Sequence, residues 1–242
     1  MVVTLQNENN NLNRRDFIKN TIFYLTLAGF SKITAHADSL NQNKISEYNK
    51  GKSKMKKIIL VNSSPRVNGN SDNITKILAE SLKDCEVTTF NMREKKCNPC
   101  FACGICQNKD SAKCVQKDDI AVLIDKIDTC DALVIATPIY NHQITSQAKL
   151  FIERWYPFFN FSKKMYSNTS KYGKKGALIC SFWGSPVDVT TKYAEWTVSG
   201  FSQIGVDKTK ALIFPQIPNK GDVLKRDDYL AQLKELAEWL KI

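Results

Sequence analysis

The sequence predicts an α/β domain: a doubly wound, five-stranded parallel sheet in the order 2-1-3-4-5, carrying a cysteine-rich insertion. Three observations predict it. Short continuous apolar runs recur along the chain, helical patterns separate them, and the composition is that of an ordinary globular protein, 43% apolar and 24% charged over 242 residues.

Taken in chain order, the first segment does not belong to that domain. Residues 1–13 are rich in Asn and Gln and lead into Arg14-Arg15-Asp16-Phe17-Ile18-Lys19. The apolar stretch that follows, Ile22 to Phe30, is about half the length a membrane span requires and reads as a signal h-region. Ala35-His36-Ala37 places small residues at both positions of an A-x-A cleavage site, and cleavage after Ala37 leaves 205 residues. Arg14 to Lys19 resembles the twin-arginine export signal, so residues 1–37 are expected to direct export to a periplasmic or other extracytoplasmic location. That route carries folded proteins, which suits an enzyme loaded with its cofactor beforehand. Residues 38–54 are polar, with Gly51, Ser53 and several lysines, and are expected to act as a tether.

The folded domain is expected over residues 55–242. Ile58-Ile59-Leu60-Val61 has the pattern of a strand buried on both faces, and comparable runs follow at Leu133 to Ala136, Ala177 to Cys180 and Ala211 to Phe214. A weaker run spans Glu86 to Phe90. Helical patterns lie at about 72–83, 118–127, 146–158, 189–204 and 226–240. Alternation of this kind implies right-handed βαβ crossovers, with ligands at the carboxyl ends of the strands.

After the first strand comes Asn62-Ser63-Ser64-Pro65-Arg66-Val67-Asn68-Gly69-Asn70-Ser71, a run of hydroxyls and amides that opens into a helix. Free N–H groups at the helix start, donors on Ser63, Asn70 and Ser71, and the charge of Arg66 suit an anion. Gly69 permits close backbone approach. No Lys-Ser or Lys-Thr pair follows Gly69 and no G-x-G-x-x-G is present, so a mononucleotide phosphate fits better than a Walker or dinucleotide site; an ordinary βα turn capped by Ser71 is the plainer reading. After the run at Leu133 to Ala136, Thr137-Pro138-Ile139-Tyr140-Asn141 reads as a Pro-ended turn whose aromatic could cover a flat ring.

Five of the eight cysteines fall within eighteen residues, as Cys97-x2-Cys100-x2-Cys103-x2-Cys106-x7-Cys114. Two-residue gaps let a loop turn its thiolates toward one point, as metal sites require. Four thiolates fit a [4Fe–4S] cluster or zinc, and in an oxidising compartment the same thiols could pair as disulfides. Cys85, Cys130 and Cys180 lie singly near apolar segments and read as inert core thiols.

The loop from Ser64 to Ser71 resembles the S-P-R-x-x-G-N-[ST] phosphate loop of NAD(P)H-dependent FMN reductases and iron–sulfur flavoproteins, and every position is filled. The resemblance spans residues 55–242 and implies a flavodoxin-like fold. It implies that Ser63, Arg66, Asn70 and Ser71 hold the phosphate of FMN. It further implies that Pro138, Ile139, Tyr140 and Asn141, with Ser181 and Gly184 of the segment Ser181-Phe182-Trp183-Gly184-Ser185, contact the flavin ring. Cys100, Cys103, Cys106 and Cys114, followed by Asp118-Asp119-Ile120, resemble the compact cluster motif of iron–sulfur flavoproteins; a frame of Cys97, Cys100, Cys103 and Cys106 stays open. Lys149 to Arg154 resembles the family's K-x-x-[IL]-D-R helix, with Glu153 where the family has Asp, and neither Glu153 nor Arg154 receives a role.

The implied activity is that of an FMN-dependent oxidoreductase passing electrons between flavin and cluster, with NAD(P)H as a possible donor and a small-molecule substrate or a redox protein as partner. The alternative is a non-catalytic, flavodoxin-like carrier. No catalytic side chain is assigned, since the flavin carries the chemistry; His142 lies beside the ring segment as a possible proton donor. A homo-oligomer is expected from the resemblance. The formal charge is +11, of which the leader carries +2, but the lysines are scattered and no nucleic-acid motif accompanies them, so nucleic acid is not an expected partner.

Overall fold

A computed structural model describes residues 55–108, 113–159 and 169–242. The expected signal peptide and tether lie outside them. Strands β1 (Lys57–Asn62), β2 (Glu86–Asn91), β3 (Ala132–Tyr140), β5 (Lys174–Ser181) and β6 (Val206–Phe214) form a parallel sheet in the order β2-β1-β3-β5-β6. A two-residue strand, β4 (Gln143–Ile144), folds back antiparallel on the end of β3. Leaving β4 aside, the five parallel strands follow the expected order 2-1-3-4-5.

Alternation along the strands sorts the core into two layers. Ile58, Leu60, Val134 and Ile179 face α1 (Asn70–Ser81) and α5 (Asp227–Lys241), meeting Ile74, Leu78, Leu233 and Leu236. Ile59, Val61, Ile135 and Leu178 face the other side, where α2 (Asp119–Thr129), α3 (Ser146–Glu153) and α4 (Val187–Ser199) supply Ile120, Ile124, Phe151 and Val198. Among the described residues no helix is long and apolar enough to cross a membrane.

Three elements differ from the sequence expectation. The helix expected over 146–158 stops at Glu153, with Arg154 as its C-cap, and a 3₁₀ turn follows at Tyr156–Phe158. Pro157 accounts for this, because it lacks an N–H and its ring would clash with the carbonyl four residues back, that of Glu153. The last strand begins at Val206 rather than Ala211. Its first half carries Asp207, Lys208 and Lys210, the charges of an exposed sheet edge, which a search for doubly buried runs passes over. Most relevant to the site, residues 137–140 are strand, not turn.

β3 continues through Thr137 and Pro138, which pair with Cys180 and Ser181, and ends at Tyr140. The chain then reverses through Asn141 (φ 48°) and His142 (φ 63°), a two-residue hairpin with positive φ at both positions. This is the turn whose twist matches the flanking strands, and Asn is among the side chains that tolerate it best.

Candidate functional site

The carboxyl ends of β1, β3 and β5 meet where the strand order reverses, at the crevice between neighbouring crossovers. The β1–α1 loop enters it from one side. Asn62, at the end of β1, uses its side chain to fix the start of the loop: Oδ1 accepts from the Ser64 N–H at 3.0 Å, and Nδ2 donates to Asp72 at 2.9 Å. Asp72, 2% exposed on the first turn of α1, also accepts from the Asn68 N–H at 2.8 Å and from Arg93 at 3.2 Å, with Lys76 at 3.4 Å. Burial pushes its carboxyl up, but the Asn68 N–H, Arg93 and Lys76 outweigh that and hold it below its ordinary value of 3.8.

Asp72 is therefore the hub that shapes the loop. Asp72→Asn is expected to cost about 2 kcal/mol in urea unfolding, because it removes one of the two carboxylates on the largely buried Arg93, Glu94 remaining at 2.7 Å. The sign of its pH dependence follows from the lowered folded value. The stabilisation is complete above pH 3.8 and is lost as the pH falls through the lower folded value. Acid titration of the variant should lack that slope.

The loop delivers an open helix end. Gly69 is the N-cap of α1 and provides no side-chain cap, so the first N–H groups of the helix have no intrahelical acceptor and face the crevice. A Cβ at Gly69 would sit 3.3 Å from the Arg66 Cβ and carbonyl oxygen. Ser71 is not the cap expected in the plainer reading; its hydroxyl lies buried 3.1 Å from that of Ser181, tying the start of α1 to the end of β5.

A cavity of about 220 Å³ opens at this point. Ser64, Arg66, Asn70 and Ser71 line its phosphate-loop side, and Pro138, Ile139, Tyr140 and Ser181 come from the strand ends. Phe182 and Trp183, which the sequence left without a role, form a further wall. The Arg66 guanidinium stands 5.7 Å from the centre of the Tyr140 ring.

Three of the expected site residues do not line this cavity. Ser63 does not line the cavity: its hydroxyl donates to the Ala136 carbonyl at 3.2 Å and accepts from Thr145 at 3.1 Å, so it joins β1 to β3. Ser64, the serine of the S-P-R run, stands in its place. Asn141 is spent on the hairpin and Gly184 on a left-handed turn (φ 85°), and neither reaches the cavity.

Asn70 lines the cavity, but its side chain is committed elsewhere. Its amide donates to the carbonyls of Ile217 at 2.9 Å and Asn219 at 3.0 Å and accepts from the Val223 N–H at 3.1 Å. It therefore clamps the loop after β6 against the phosphate side, where Ile217 to Lys220 complete the wall. The loop after β6 thus lines the candidate site, although the sequence placed no candidate residue there.

The cysteines form a second constellation. Cys100, Cys103, Cys106 and Cys114 line one small cavity together with Phe101 and Arg154. Cys97 does not; its thiol points toward the Met92 carbonyl at 4.0 Å and packs on the core, and burial, then Asp118 and Asp119, push it up to about 11. As the side chains stand, the described residues bring no three Cys, His, Asp or Glu groups together as a formed metal site. The donor chemistry nevertheless fits a cluster. Cys100 Sγ accepts from the Ala102 N–H at 3.4 Å, Cys106 Sγ from Gln107 at 3.8 Å and Cys114 Sγ from Arg154 at 3.5 Å, the kind of donors that thiolate ligands attract. Ala102 holds a positive φ of 50°, a cost usually met at functional loops. Cys130 and Cys180 are buried with burial pushing their thiols up to about 11 and about 12, which suits inert core cysteines.

A doubly wound sheet with an anion loop and a cavity at its switch point places the chain in the flavodoxin-like class. The profile of the NADPH-dependent FMN reductases matches residues 56–188, more than half of the chain, and the protein belongs to that family. Among curated relatives, an iron-sulfur flavoprotein of Archaeoglobus fulgidus is 37% identical over 100 residues, covering 39% of this chain and 43% of the relative. Another, from Methanosarcina thermophila, is 30% identical over 100 residues, covering 40% and 51%. The aligned part of the chain spans about half the length of these relatives. Among solved structures, an NAD(P)H:quinone oxidoreductase from Methanothermobacter marburgensis aligns with a TM-score of 0.60 at 14% identity, over 76% of this chain and 98% of that one. An FMN-dependent NADH-azoreductase from Bacillus anthracis aligns at 0.58 and 14%, over 77% and 100%. At such identities the likeness concerns the fold.

Proposed function

We propose that the protein is an FMN-dependent oxidoreductase of the iron–sulfur flavoprotein type, with the phosphate of FMN at the start of α1 and its ring between the strand ends and the aromatic wall. The observation that carries this reading is the mixed lining of one cavity: an uncapped helix terminus with Arg66, together with the aromatic side chains Tyr140, Phe182 and Trp183. A free phosphate would need only the first, and a bare aromatic only the second.

Within that site the helix N–H groups and Ser71 would bind the phosphate, Arg66 would balance its charge, and Tyr140 with Trp183 would cover the ring against water. Bound FMN would supply hydride and single-electron chemistry. Cys100, Cys103, Cys106 and Cys114 are the proposed ligands of a [4Fe–4S] cluster, which would supply single-electron chemistry beside the flavin; the shared cavity and the Arg154 donor to the Cys114 sulfur support that set over one containing Cys97.

Export by the twin-arginine route is part of the proposal, supported by the arginine pair, short apolar stretch and cleavage site of residues 14–37. It favours a protein or membrane-pool electron donor over NAD(P)H. Exposed Trp183 and Trp196, the latter on α4, support a homo-oligomer.

The test is an absorption spectrum, with flavin, iron and sulfide assays, of the protein purified without oxygen. About one FMN and about four irons per chain are expected. Flavin without iron removes the cluster and leaves the FMN site standing; a colourless protein removes both.

A further inference from the structure

The buried pair Arg154–Asp118 lies outside the flavin cavity, and no step described so far uses it. Arg154 is 1% exposed. Its Nη1 donates to Asp118 Oδ2 at 2.6 Å and to the Asn98 carbonyl at 2.7 Å; its Nη2 donates to Asp118 Oδ1 at 3.0 Å and to Cys114 Sγ at 3.5 Å. Asp118 also accepts from the N–H groups of Asn98 and Ala121, at 3.0 and 3.1 Å. One guanidinium therefore touches both ends of the cysteine run and one of its sulfurs.

A buried ion pair of this kind is poor evidence for stability, because its desolvation offsets most of its attraction. Its fourth donor contact gives it another use. A fixed cation 3.5 Å from a thiolate sulfur favours added negative charge there, and hydrogen bonds to ligand sulfurs are among the factors that set cluster potentials. Asp118 holds the guanidinium in place through two oxygens, so it cannot swing out to solvent.

We propose that Arg154 is a positioning residue for the iron–sulfur centre: held by Asp118, it orients Cys114 as a ligand and raises the reduction potential of the cluster by donating to the Cys114 sulfur. This rests on the cluster reading above. The reaction it biases is a one-electron reduction of cluster iron, with the electron supplied by reduced flavin and no bond made or broken.

The experiment compares wild type, Arg154→Gln and the double variant Asp118→Asn with Arg154→Gln, in which no buried charge is left unpaired. Each is purified without oxygen and assayed for FMN, iron and sulfide, and its cluster is titrated potentiometrically by absorbance and electron paramagnetic resonance. Wild-type iron content tests the cluster reading independently of Arg154, and an iron-free wild type overturns both. With a cluster in wild type, the expected result is a double variant that keeps its FMN and has either a cluster of lower potential with an altered resonance signal or no cluster at all. A double variant with full iron content and the wild-type potential overturns the proposal, as does loss of FMN in parallel with iron, which would mark the pair as a general packing element. Arg154→Lys keeps the charge without the bidentate fork, and it should restore the potential only in part.

Discussion

Ser71→Asp is expected to weaken FMN binding about 100-fold, close to 3 kcal/mol, and to lower the stability of the apo-protein as well. The two halves of that result come from one side chain. An acidic residue in the first turn of α1 complements the helix dipole, but Ser71 is 1% exposed beside the buried Asp72, and the desolvation and repulsion of a second carboxylate there outweigh that gain. The same carboxylate, set beside the Ser181 hydroxyl on the cavity wall, stands where the phosphate would lie and repels it. Fluorescence titration of the apo-protein with FMN, paired with thermal unfolding, reads both. Unchanged affinity would mean that the phosphate does not sit at the start of α1.

Exchange of single cysteines should separate the two possible ligand frames almost as an all-or-none effect. Cys114→Ser is expected to bring iron and sulfide close to zero while FMN stays bound, since it removes a thiolate from the shared cavity. Cys97→Ser should keep full iron content, because that thiol faces the Met92 carbonyl and the core. Colorimetric iron assay against flavin absorbance decides the matter. The reverse pattern would install Cys97 in the site and release Cys114.

The fold was largely legible because double-sided burial writes itself as continuous apolar runs, and Ile58 to Val61 and Ala177 to Cys180 are strands in the structure. Burial on one side writes nothing so clear, which is why the charged half of β6 escaped notice. The lining of the candidate cavity was legible where side chains face it, as with Arg66, Ser71 and Tyr140. It was illegible where backbone geometry decides. Ser63 and Ser64 are chemically alike, and only the exit angle of β1 turns one into the sheet and the other toward the cavity. Asn70 looked like a donor to the ligand, yet its amide matches a peptide so well that it serves a distant loop instead. That loop, Ile217 to Lys220, carries no motif, because its part is to be placed rather than to be recognised.

The cysteine run ends where it begins. Lys96 and Asp119 exchange a pair of contacts, N–H to carboxylate at 2.7 Å and N–H to carbonyl at 3.1 Å, and Asn98 meets Asp118 directly above them. The run is thus pinned at its two ends, between β2 and α2. Its length is uncoupled from the register of β2 and from the setting of α2, and extending such a loop costs only slowly growing entropy. With both ends pinned, a change of length inside the run is expected to leave β2 and α2 in place, whereas Cys97, Asn98 and Cys114 stay tied to the core and to Arg154.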